Sequence, residues 1–453
     1  MSAISKAVFV ETWGCQMNVL DGRRFVGLLS REGYVEAPVP EAADVILLNT
    51  CSVRDKAEQK VYDRLGRLAK LKKENPSLVL GVCGCVAEQE GESLLDRLPY
   101  VDFVLGTGRI ETLPAVVRRV REEGDRPCET GFDADEVVYT PGAIARTVPH
   151  RASITVVEGC NKNCTFCVVP KTRGRERNRR LAAVVEESRR LIAEGVVEIE
   201  LLGQTVNAFR DPATGEDFAD LLAAVAGLEG LKRLRFVTSH PRNFGPKLVR
   251  TMAASAAACN ALHLPMQSGS DAVLSRMKRQ YTRAYYLDLV ARLREAIPSL
   301  SLSTDVIVGF PGETDADFEA TLSLLTEVRF AGVFSFTYSP RPRTAAARWS
   351  QDVPPEVAAD RLARLMERQQ EIQRETNRGF EGNTLEVLVE GLDRKRSMSS
   401  GRSTCNRVVN IEREDAPPIP PGTFVNVRIE RGLPNSLVGK VAGAEPQSVA
   451  AIA

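Results

Sequence analysis

The sequence predicts an α/β protein built from three parts: a parallel α/β amino-terminal domain, a partial TIM-like (βα)6 barrel, and a small OB-like all-β barrel at the carboxyl end. Three observations lead to this prediction. Strand-like and helix-like runs alternate over residues 1–110, they restart with a longer repeat at Ala152, and short strands without helical runs follow Gly379. The domain bounds that we expect are 1–140, 146–376 and 377–443, with a tail at 444–453.

The composition narrows the class of protein. The 453-residue chain carries a net charge of +1, so any attraction to nucleic acid has to come from local patches. No run of about 18 apolar residues is present, and we expect no membrane span. The start, MSAISKAVFVETW, lacks a signal-peptide core, and ten cysteines cluster unevenly in a long chain. We therefore expect a cytoplasmic protein with reduced thiols.

The first 110 residues contain four predicted strands and two predicted helices. The strands are Ala7–Trp13, Asp44–Thr50, Leu78–Gly84 and Asp102–Gly106, and the helices are Phe25–Gly33 and Lys60–Asn75. Nearly continuous apolar strands that alternate with helices are typical of a buried parallel sheet. Residues 111–150 mix charge, glycine and proline without a period, and we expect them to form a connector.

Three cysteines directly follow three of these strands. Cys15 comes after the first strand, Cys51 after the second and Cys85 after the third. The carboxyl ends of parallel strands share one edge of a sheet, where open α/β sheets bind ligands, so the three thiols should converge. Isolated buried thiols are the alternative interpretation. Cys83 also remains open, because a strand directs residues two apart to the same side.

From Ala152 onward, helical runs separate six strand candidates, which predicts about six βα units. The candidates are Ala152–Gly159, Val197–Gly203, Arg233–Thr238, Ala261–Pro265, Leu302–Phe310 and Val333–Ser339. Barrel chemistry lies at the carboxyl ends of such strands. The loop after the second strand, which contains Gln204 and Asn207, has the polar and glycine content that suits a nucleotide-like ligand. Glycine loops after strands are usually only turns, so this signal is weak.

A cysteine motif follows the first of these strands. Cys160, Cys164 and Cys167 have a C-x3-C-x2-C spacing, and three thiolates so close together can hold one soft metal centre. A structural zinc site normally takes four protein ligands. A cubane iron–sulfur cluster on three cysteines keeps one iron open for a substrate or cofactor. Three buried cysteines in a tight turn are the alternative.

Two basic segments are candidates for contact with a polyanion, although a solvated charged face is the alternative for both. Lys171–Arg180 lies beside the cysteine motif and carries six positive residues and one negative residue. The other segment lies between the predicted strands Leu385–Asp393 and Arg407–Glu412 of the small β barrel, where a basic strip favours binding of the RNA backbone. Its positive residues are Arg394, Lys395, Arg396, Arg402 and Arg407.

These motifs together resemble the radical S-adenosylmethionine methylthiotransferases over nearly the whole chain. TWGCQMN, LLNTCSVRDKAEQKV and GCVAEQEGE look like the amino-terminal domain of that family. GCNKNCTFCVVPKTRG, with Phe166 before the last cysteine, looks like its radical domain. LHLPMQSGSD, VGFPGET and YSPRP recur in the family, and the carboxyl end looks like its TRAM RNA-binding domain.

The resemblance implies two 4Fe-4S clusters and S-adenosyl-L-methionine as cofactors. The cluster on Cys160, Cys164 and Cys167 would bind S-adenosylmethionine and start the radical chemistry, near Phe166, Gln204 and Asn207. The second cluster, on Cys15, Cys51 and Cys85, would present sulfur. The implied reaction adds a methylthio group to carbon 2 of N6-isopentenyladenosine at position 37 of tRNA, and no catalytic residue beyond the cluster ligands is implied. The implied partners are tRNA and an electron donor such as flavodoxin or ferredoxin, and the chain would act as a monomer.

Other functions remain open at this point. Sister methylthiotransferases act on threonylcarbamoyl-adenosine in tRNA or on an aspartate of a ribosomal protein, but TWGCQMN and NTCSVRDKAEQKV favour the branch that acts on prenylated adenosine. An electron carrier with two clusters would not need a large barrel or a basic β domain. An RNA-binding protein with structural clusters would bind tRNA and leave its mass unchanged.

Overall fold

A six-stranded parallel sheet forms the amino-terminal part of this computed structural model, which describes residues 6–52, 55–132, 139–140, 142, 144–393, 398–413 and 417–443. In chain order the strands are β1 (Lys6–Thr12), β2 (Tyr34–Glu36), β3 (Val45–Thr50), β4 (Val79–Gly84), β5 (Phe103–Leu105) and β6 (Cys128–Glu129). The helices are α1 (Gln16–Ser30), α2 (Asp55–Glu74), α3 (Cys85–Glu90), α4 (Glu92–Arg97) and α5 (Leu113–Glu123). The strand order is β2-β1-β3-β4-β5-β6, and all pairs are parallel.

Two hydrophobic cores lie on the two faces of this sheet. α1 and α5 pack on one face, and α2, α3 and α4 pack on the other. β3 and β4 are buried along their whole length, which is why their sequences are almost continuously apolar. The predicted parallel α/β domain is confirmed.

The prediction of an irregular connector over residues 111–150 is wrong for the first part of that range. α5 and β6 both fall within that range. α5 begins at Leu113, followed by Pro114, and ends at Gly124 with φ of +67°. Its apolar residues Leu113, Val116 and Val117 complete the core on one face of the sheet. The helical spacing of Leu113, Val116, Val117 and Val120 was present in the sequence but was hidden by the charged and glycine-rich residues that follow.

The central part of the chain is an open barrel of parallel strands, as the sequence predicts. The strands are β7 (Arg151–Glu158), β8 (Arg177–Asn178), β9 (Glu198–Gly203), β10 (Arg233–Phe236), β11 (Ala261–His263), β12 (Ser301–Val308) and β13 (Gly332–Thr337). They form two sheets, β8-β7-β9-β10 and β11-β12-β13, and only the short β8 pairs antiparallel within them. The helices are α6 (Val169–Thr172), α7 (Leu181–Ala193), α8 (Phe218–Ala226), α9 (Pro246–Ala254), α10 (Asp271–Arg276), α11 (Arg283–Ala296), α12 (Asp315–Val328) and α13 (Pro355–Arg378).

A closed five-stranded barrel forms the carboxyl-terminal part. Its strands are β14 (Thr384–Leu392), β15 (Ser399–Ser403), β16 (Val408–Glu412), β17 (Phe424–Gly432) and β18 (Leu437–Val441), in the order β14-β15-β16-β18-β17. The all-β prediction is confirmed, but β15 was read as part of a basic strip. Its sequence, SSGRS, has no residue with a high β-strand propensity. Gly401 lets the backbone of Leu388 pack closely, because a Cβ at position 401 would stand only 2.1 Å from the Leu388 carbonyl oxygen.

The three parts pack directly against one another. Met17 and Leu20 of α1 pack with Leu202 of β9, so that the first helix of the sheet domain sits against the barrel. Arg233 and Arg235 of β10 donate to backbone carbonyls of the small barrel, at 2.7 Å to Arg402 and 2.8 Å to Ser403. No helix in the described part of the chain is long and apolar enough to cross a membrane.

Candidate iron–sulfur and nucleic-acid site

The ends of three neighbouring strands bring Cys15, Cys51 and Cys85 together around Asn18. The thiol of Cys15 lies 3.6 Å from Asn18 Oδ1, and the thiol of Cys85 lies 4.0 Å from the same oxygen. Cys51 packs against the backbone of Gly14, where an added Cβ would stand 2.9 Å from the Cys51 sulfur. Three cysteines that are far apart in sequence therefore meet at one edge of the sheet.

Asn18 is the residue that joins these loops. It is fully buried, and its Nδ2 donates to the carbonyls of Trp13 at 3.0 Å and Thr50 at 2.8 Å. These two carbonyls stand just before Cys15 and Cys51. A buried amide with its hydrogen bonds satisfied fixes the spacing between the groups it bridges. Asn18 therefore sets how far apart the first two thiols lie.

The turn between β4 and α3 separates the roles of Cys83 and Cys85. Cys83 is fully buried in a hydrophobic core with Phe103 and Leu105, and burial raises the pKa of its thiol well above the ordinary value. Gly84 has φ of +89°, and the chain turns there so that Cys85 begins α3 beside Asn18. The two cysteines consequently point to different environments.

The second triad lies in the loop after β7. The Cys160 sulfur is 3.3 Å from the hydroxyl of Thr205 and accepts the Lys162 backbone N–H at 3.4 Å. Arg279 Nη1 donates to the Cys164 sulfur at 3.4 Å. Burial raises the pKa of Cys167 to about 12, so metal binding here has to displace the thiol proton.

The three predicted cofactor-binding residues all have protein partners close to this loop. Gln204 Oε1 accepts the Gly159 N–H at 2.6 Å, at the residue before Cys160. Asn207 exchanges two hydrogen bonds with the backbone of His240, at 3.0 and 2.8 Å. The ring of Phe166 meets the ring of Phe310 edge-on, with centroids 6.4 Å apart. All three residues therefore shape the walls around the second triad.

Arg173 links the two triads. It lies six residues after Cys167, and its Nη2 donates to Asn18 Oδ1 at 2.9 Å and to Asp21 Oδ2 at 2.5 Å. The chain segment that holds the second triad thus contacts the asparagine at the centre of the first. One further buried pair connects the same two domains, since Glu158 of β7 lies 3.5 Å from Arg24 of α1, and within the barrel Glu158 also lies 3.0 Å from Arg177.

The donor sets suit iron–sulfur clusters better than single metal ions. Within the described ranges, no group of three or more His, Cys, Asp or Glu side chains could hold one metal ion. Each triad consists of thiols alone, which is the usual ligand chemistry for a cluster in which each thiolate binds a different iron. The residues present therefore fit a cluster at each triad.

The basic residues divide into exposed and internal ones. In the loop Lys171–Arg180, Arg173, Arg177 and Arg179 are buried, whereas Lys171, Arg175 and Arg180 are exposed. Charge that is used inside the protein cannot also neutralise a nucleic acid. Only part of this loop therefore remains available to a polyanion.

The basic strip of the small barrel is described only at its end. Arg394, Lys395 and Arg396 lie outside the described residues. Arg402 is partly exposed, 3.5 Å from Glu390. Arg407 is buried, hydrogen-bonded to Asn377 and placed over the ring of Phe380 at 4.9 Å. RNA binding by Arg402 therefore stays a prediction, while Arg407 serves the junction with α13.

Sequence reasoning missed Asn18, Arg173 as a link between domains, and Arg279. Asn18 stands in TWGCQMN, which served as a family motif with Cys15 as its one candidate ligand, and Arg173 was counted only as one charge of a basic loop. Arg279 follows the short helix α10, and its sequence neighbours give no sign of a nearby thiol. Contacts across more than a hundred residues leave no periodic signal.

Three family models match consecutive parts of the chain. The uncharacterized protein family UPF0004 matches residues 7–106, the Radical SAM superfamily matches residues 154–325, and the TRAM domain matches residues 378–442. The first match includes Cys15, Cys51 and Cys85, and the second includes the three cysteines after β7.

Curated relatives align with nearly the whole chain. The tRNA-2-methylthio-N(6)-dimethylallyladenosine synthase of Solibacter usitatus (strain Ellin6076) is 46% identical over 446 residues, which cover 98% of this chain and 99% of the relative. The protein of the same name from Anaeromyxobacter dehalogenans (strain 2CP-C) is 47% identical over 451 residues, 97% of this chain and 95% of its own.

Solved structures resemble the fold at low sequence identity. The radical S-adenosylmethionine methyltransferase TsrM from Kitasatospora setae has a TM-score of 0.55 and 16% identity, and the match covers 76% of this chain and 75% of that one. The cobalamin-dependent S-adenosylmethionine radical enzyme OxsB has a TM-score of 0.52 and 13% identity, over 82% and 56% of the two chains. These likenesses support the fold alone.

Proposed function

This chain belongs to the family of tRNA-2-methylthio-N(6)-dimethylallyladenosine synthases, and on that premise we propose that it transfers a methylthio group to carbon 2 of N6-isopentenyladenosine at position 37 of tRNA. The observation that carries the proposal is the juxtaposition of two all-cysteine triads through Arg173 and Asn18. Such an arrangement suits a reaction that needs a radical source and a sulfur source at one substrate atom.

We assign one 4Fe-4S cluster to each triad. Cys160, Cys164 and Cys167 would hold the cluster that binds S-adenosylmethionine, and Cys15, Cys51 and Cys85 would hold the second. When bound, these groups and two S-adenosylmethionine molecules supply the radical that activates the C–H bond and the methylated sulfur that replaces the hydrogen. Three ligands for each cluster leave one iron open for this purpose.

The protein residues around the triads hold and orient the loops that carry the cysteines. Gln204 holds the turn that precedes Cys160, and Thr205 places a hydroxyl beside the Cys160 sulfur. Asn18 and Arg173 are both buried and fix the sheet domain to the barrel. Because a radical reacts with whatever lies near it, a site assembled from buried, hydrogen-bonded groups limits side reactions.

The tRNA substrate implies further partners. We propose that the TRAM barrel holds the tRNA backbone, with Arg402 and the strip Arg394–Arg396 as contacts, since backbone contacts position a nucleic acid without reading its sequence. Reduction by one electron calls for a donor of the flavodoxin or ferredoxin class. We further propose that the protein acts as a monomer in the cytoplasm, where its tRNA substrate occurs.

Mass spectrometry of tRNA nucleosides tests the proposed function. A strain lacking the gene should accumulate N6-isopentenyladenosine, and the wild-type gene should restore the methylthio product. Cys160→Ala should fail to restore it, whereas Cys128→Ala should succeed, because Cys128 belongs to neither triad. Restoration of a methylthio group on threonylcarbamoyl-adenosine instead would assign the protein to the sister activity.

A further inference from the structure

Arg279 is a buried cation with no carboxylate beside it. Arg279 is only 6% exposed to solvent. Among the residues that the structure describes, no Asp or Glu forms an ion pair with it. Its Nε donates to the Tyr281 hydroxyl at 3.2 Å and its Nη2 to the Pro265 carbonyl at 3.3 Å. A buried charge is costly unless it is paired, so an anionic partner is expected at this position.

The remaining donor of Arg279 identifies that partner. Nη1 donates to the Cys164 sulfur at 3.4 Å. A thiolate that binds iron carries the negative charge that the guanidinium lacks. The cluster assigned to Cys160, Cys164 and Cys167 would therefore supply the missing counter-charge.

The backbone on both sides of Arg279 is held in an unfavourable conformation. Lys278 has φ of +55° and Gln280 has φ of +61°, a region that residues with a side chain seldom adopt. Such conformations persist where the surroundings enforce them, often at functional sites. The cysteine loop is tied to the same turn, because the Thr165 N–H donates to Met277 O at 3.2 Å and the Thr165 hydroxyl to Arg276 O at 2.9 Å.

Arg173 at the other triad provides a contrast. It is equally buried, at 4% exposed, but Asp21 Oδ2 lies 2.5 Å from its Nη2 and the Asp21 side chain is buried with it. Arg173 thus has a directly paired carboxylate, which also lies 3.6 Å from Arg24, whereas Arg279 has none among the described residues. The two triads therefore experience different electrostatic fields, although each has one buried arginine.

We propose that Arg279 raises the reduction potential of the cluster on Cys160, Cys164 and Cys167, and that the asymmetry with Arg173 directs the reducing electron to that cluster. This inference rests on the proposed function. Taking up one electron from a donor of the flavodoxin class makes a 4Fe-4S cluster more negative by one charge, and the donor is oxidised by one electron. An unpaired cation that donates to a ligand sulfur stabilises the reduced form, since net charge and hydrogen bonds to sulfur set cluster potentials. Arg279 acts through Cys164 and is therefore a positioning residue.

The test measures each cluster alone, in the full-length chain. Replacing Cys15, Cys51 and Cys85 by alanine leaves only the cluster on Cys160, Cys164 and Cys167. Replacing Cys160, Cys164 and Cys167 by alanine leaves only the cluster on Cys15, Cys51 and Cys85. Dithionite titration followed by electron paramagnetic resonance gives the ratio of reduced to oxidised cluster at fixed potential. We compare Arg279→Gln, Arg279→Met and Arg279→Lys in the chain that keeps Cys160, Cys164 and Cys167. We compare Arg173→Gln in the chain that keeps Cys15, Cys51 and Cys85.

We expect Arg279→Gln or Arg279→Met to lower the ratio about tenfold, which corresponds to about 59 mV for a one-electron couple. Arg279→Lys, which keeps the charge, should stay within about threefold of the parent, and Arg173→Gln should change its own cluster by less than the neutral Arg279 variants do. Loss of iron from both neutral variants would show that Arg279 is needed to retain the cluster, and would overturn its assignment to the reduction potential. An unchanged ratio in a neutral variant, an equal fall in the lysine variant, or a larger effect of Arg173→Gln would overturn the inference.

The outcome separates this inference from the proposed function. If the two parent backgrounds bind no iron, the assignment of the clusters fails, and with it both the proposed function and the inference. If both bind iron and Arg279 variants leave the ratio unchanged, only the inference fails. Neither result depends on methylthiolation activity.

Discussion

At the scale of single residues, the candidate site depends on which thiols reach the shared edge of the sheet. Cys85 and Cys83 are two positions apart, yet Cys85 lies beside Asn18 and Cys83 lies in the core with Phe103. Gly84 between them reverses the direction of the chain. The turn at Gly84 therefore makes Cys85 a candidate ligand and leaves Cys83 a structural residue of the core.

The two thiols should respond differently to replacement. We expect Cys85→Ala to lose the iron of one cluster, because two thiolates hold a cubane poorly. Cys83→Ala should keep the full iron content and lower the free energy of unfolding by about 1 kcal/mol, as an ordinary core truncation does. Iron analysis of the two purified variants after identical reconstitution measures this, and loss of iron in Cys83→Ala instead would show that Cys83 is the ligand.

The two triads should also separate two activities. Cys160→Ala should abolish the reductive cleavage of S-adenosylmethionine, because its triad holds the cofactor. Cys51→Ala should keep cleavage and abolish methylthiolation. Chromatography of 5′-deoxyadenosine and nucleoside mass spectrometry on the same reaction measure both. Equal loss of the two activities in both variants would contradict this division.

At the scale of secondary-structure elements, strand-to-helix turns deliver the cysteines. The turn after β4 places Cys85 at the first position of α3, and Gly84 there has no room for a side chain. A Cβ on Gly84 would stand 2.5 Å from Asn49 Oδ1 and 2.6 Å from the Thr50 carbonyl. β3 and β4 can therefore remain paired up to the point where both chains turn toward the site.

Gly84→Ala should displace Cys85 and reduce the iron content toward that of a single cluster. Gly215→Ala is the matched control, because Gly215 also has positive φ, at +76°, but nothing lies within 4 Å of an added Cβ. Both variants carry the cost of an unfavourable φ, and only Gly84→Ala adds the clash. Iron content per chain distinguishes them, and equal iron in the two variants would contradict the role of this turn.

At the scale of the whole molecule, a sheet domain, an open barrel and a closed barrel share two junctions. α1 packs against β9 of the barrel through Leu20 and Leu202, close to the triads. Arg233 and Arg235 of β10 join the small barrel to the central barrel through the carbonyls of Arg402 and Ser403. β10 therefore forms the junction between the two barrels.

The small barrel should bind tRNA through charge and should not select the base. Replacing Arg394, Lys395 and Arg396 together by alanine should weaken tRNA binding and make its salt dependence shallower. Fewer phosphate contacts mean that fewer counterions are released from the tRNA on binding. Cleavage of S-adenosylmethionine and the preference for prenylated over plain adenosine should not change. Affinity measured against salt concentration, with competition between the two tRNAs, tests this.

A matched control removes the same charge elsewhere. Arg67, Lys70 and Lys73 are exposed on α2, and their replacement by alanine should leave the salt slope unchanged. If the strip variant binds as tightly as the parent with the same slope, the strip is only a solvated face. The RNA would then lie along the exposed part of Lys171–Arg180.

The sequence by itself determined the class of fold, the cysteine motifs and the family. Strand and helix periods are local, and they predicted β3 and β4 from nearly continuous apolar runs and six barrel strands from apolar or alternating runs separated by helical ones. A spacing such as that of Cys160, Cys164 and Cys167 is also local. β15 was missed because its sequence, SSGRS, has no apolar residue to show a period, whereas α5 was missed although Leu113, Val116, Val117 and Val120 have helical spacing.

Only the tertiary structure decided which distant residues meet. Asn18 contacts the thiols of Cys15 and Cys85 and accepts a hydrogen bond from Arg173, which lies 155 positions away in the sequence. Arg279 donates to Cys164, which lies 115 positions away. It also decided that half of the basic loop and Arg407 are turned inward. These contacts arise where separately folded surfaces pack, and the energy that selects them belongs to burial and charge pairing between domains. Local patterns of the chain carry no record of that pairing.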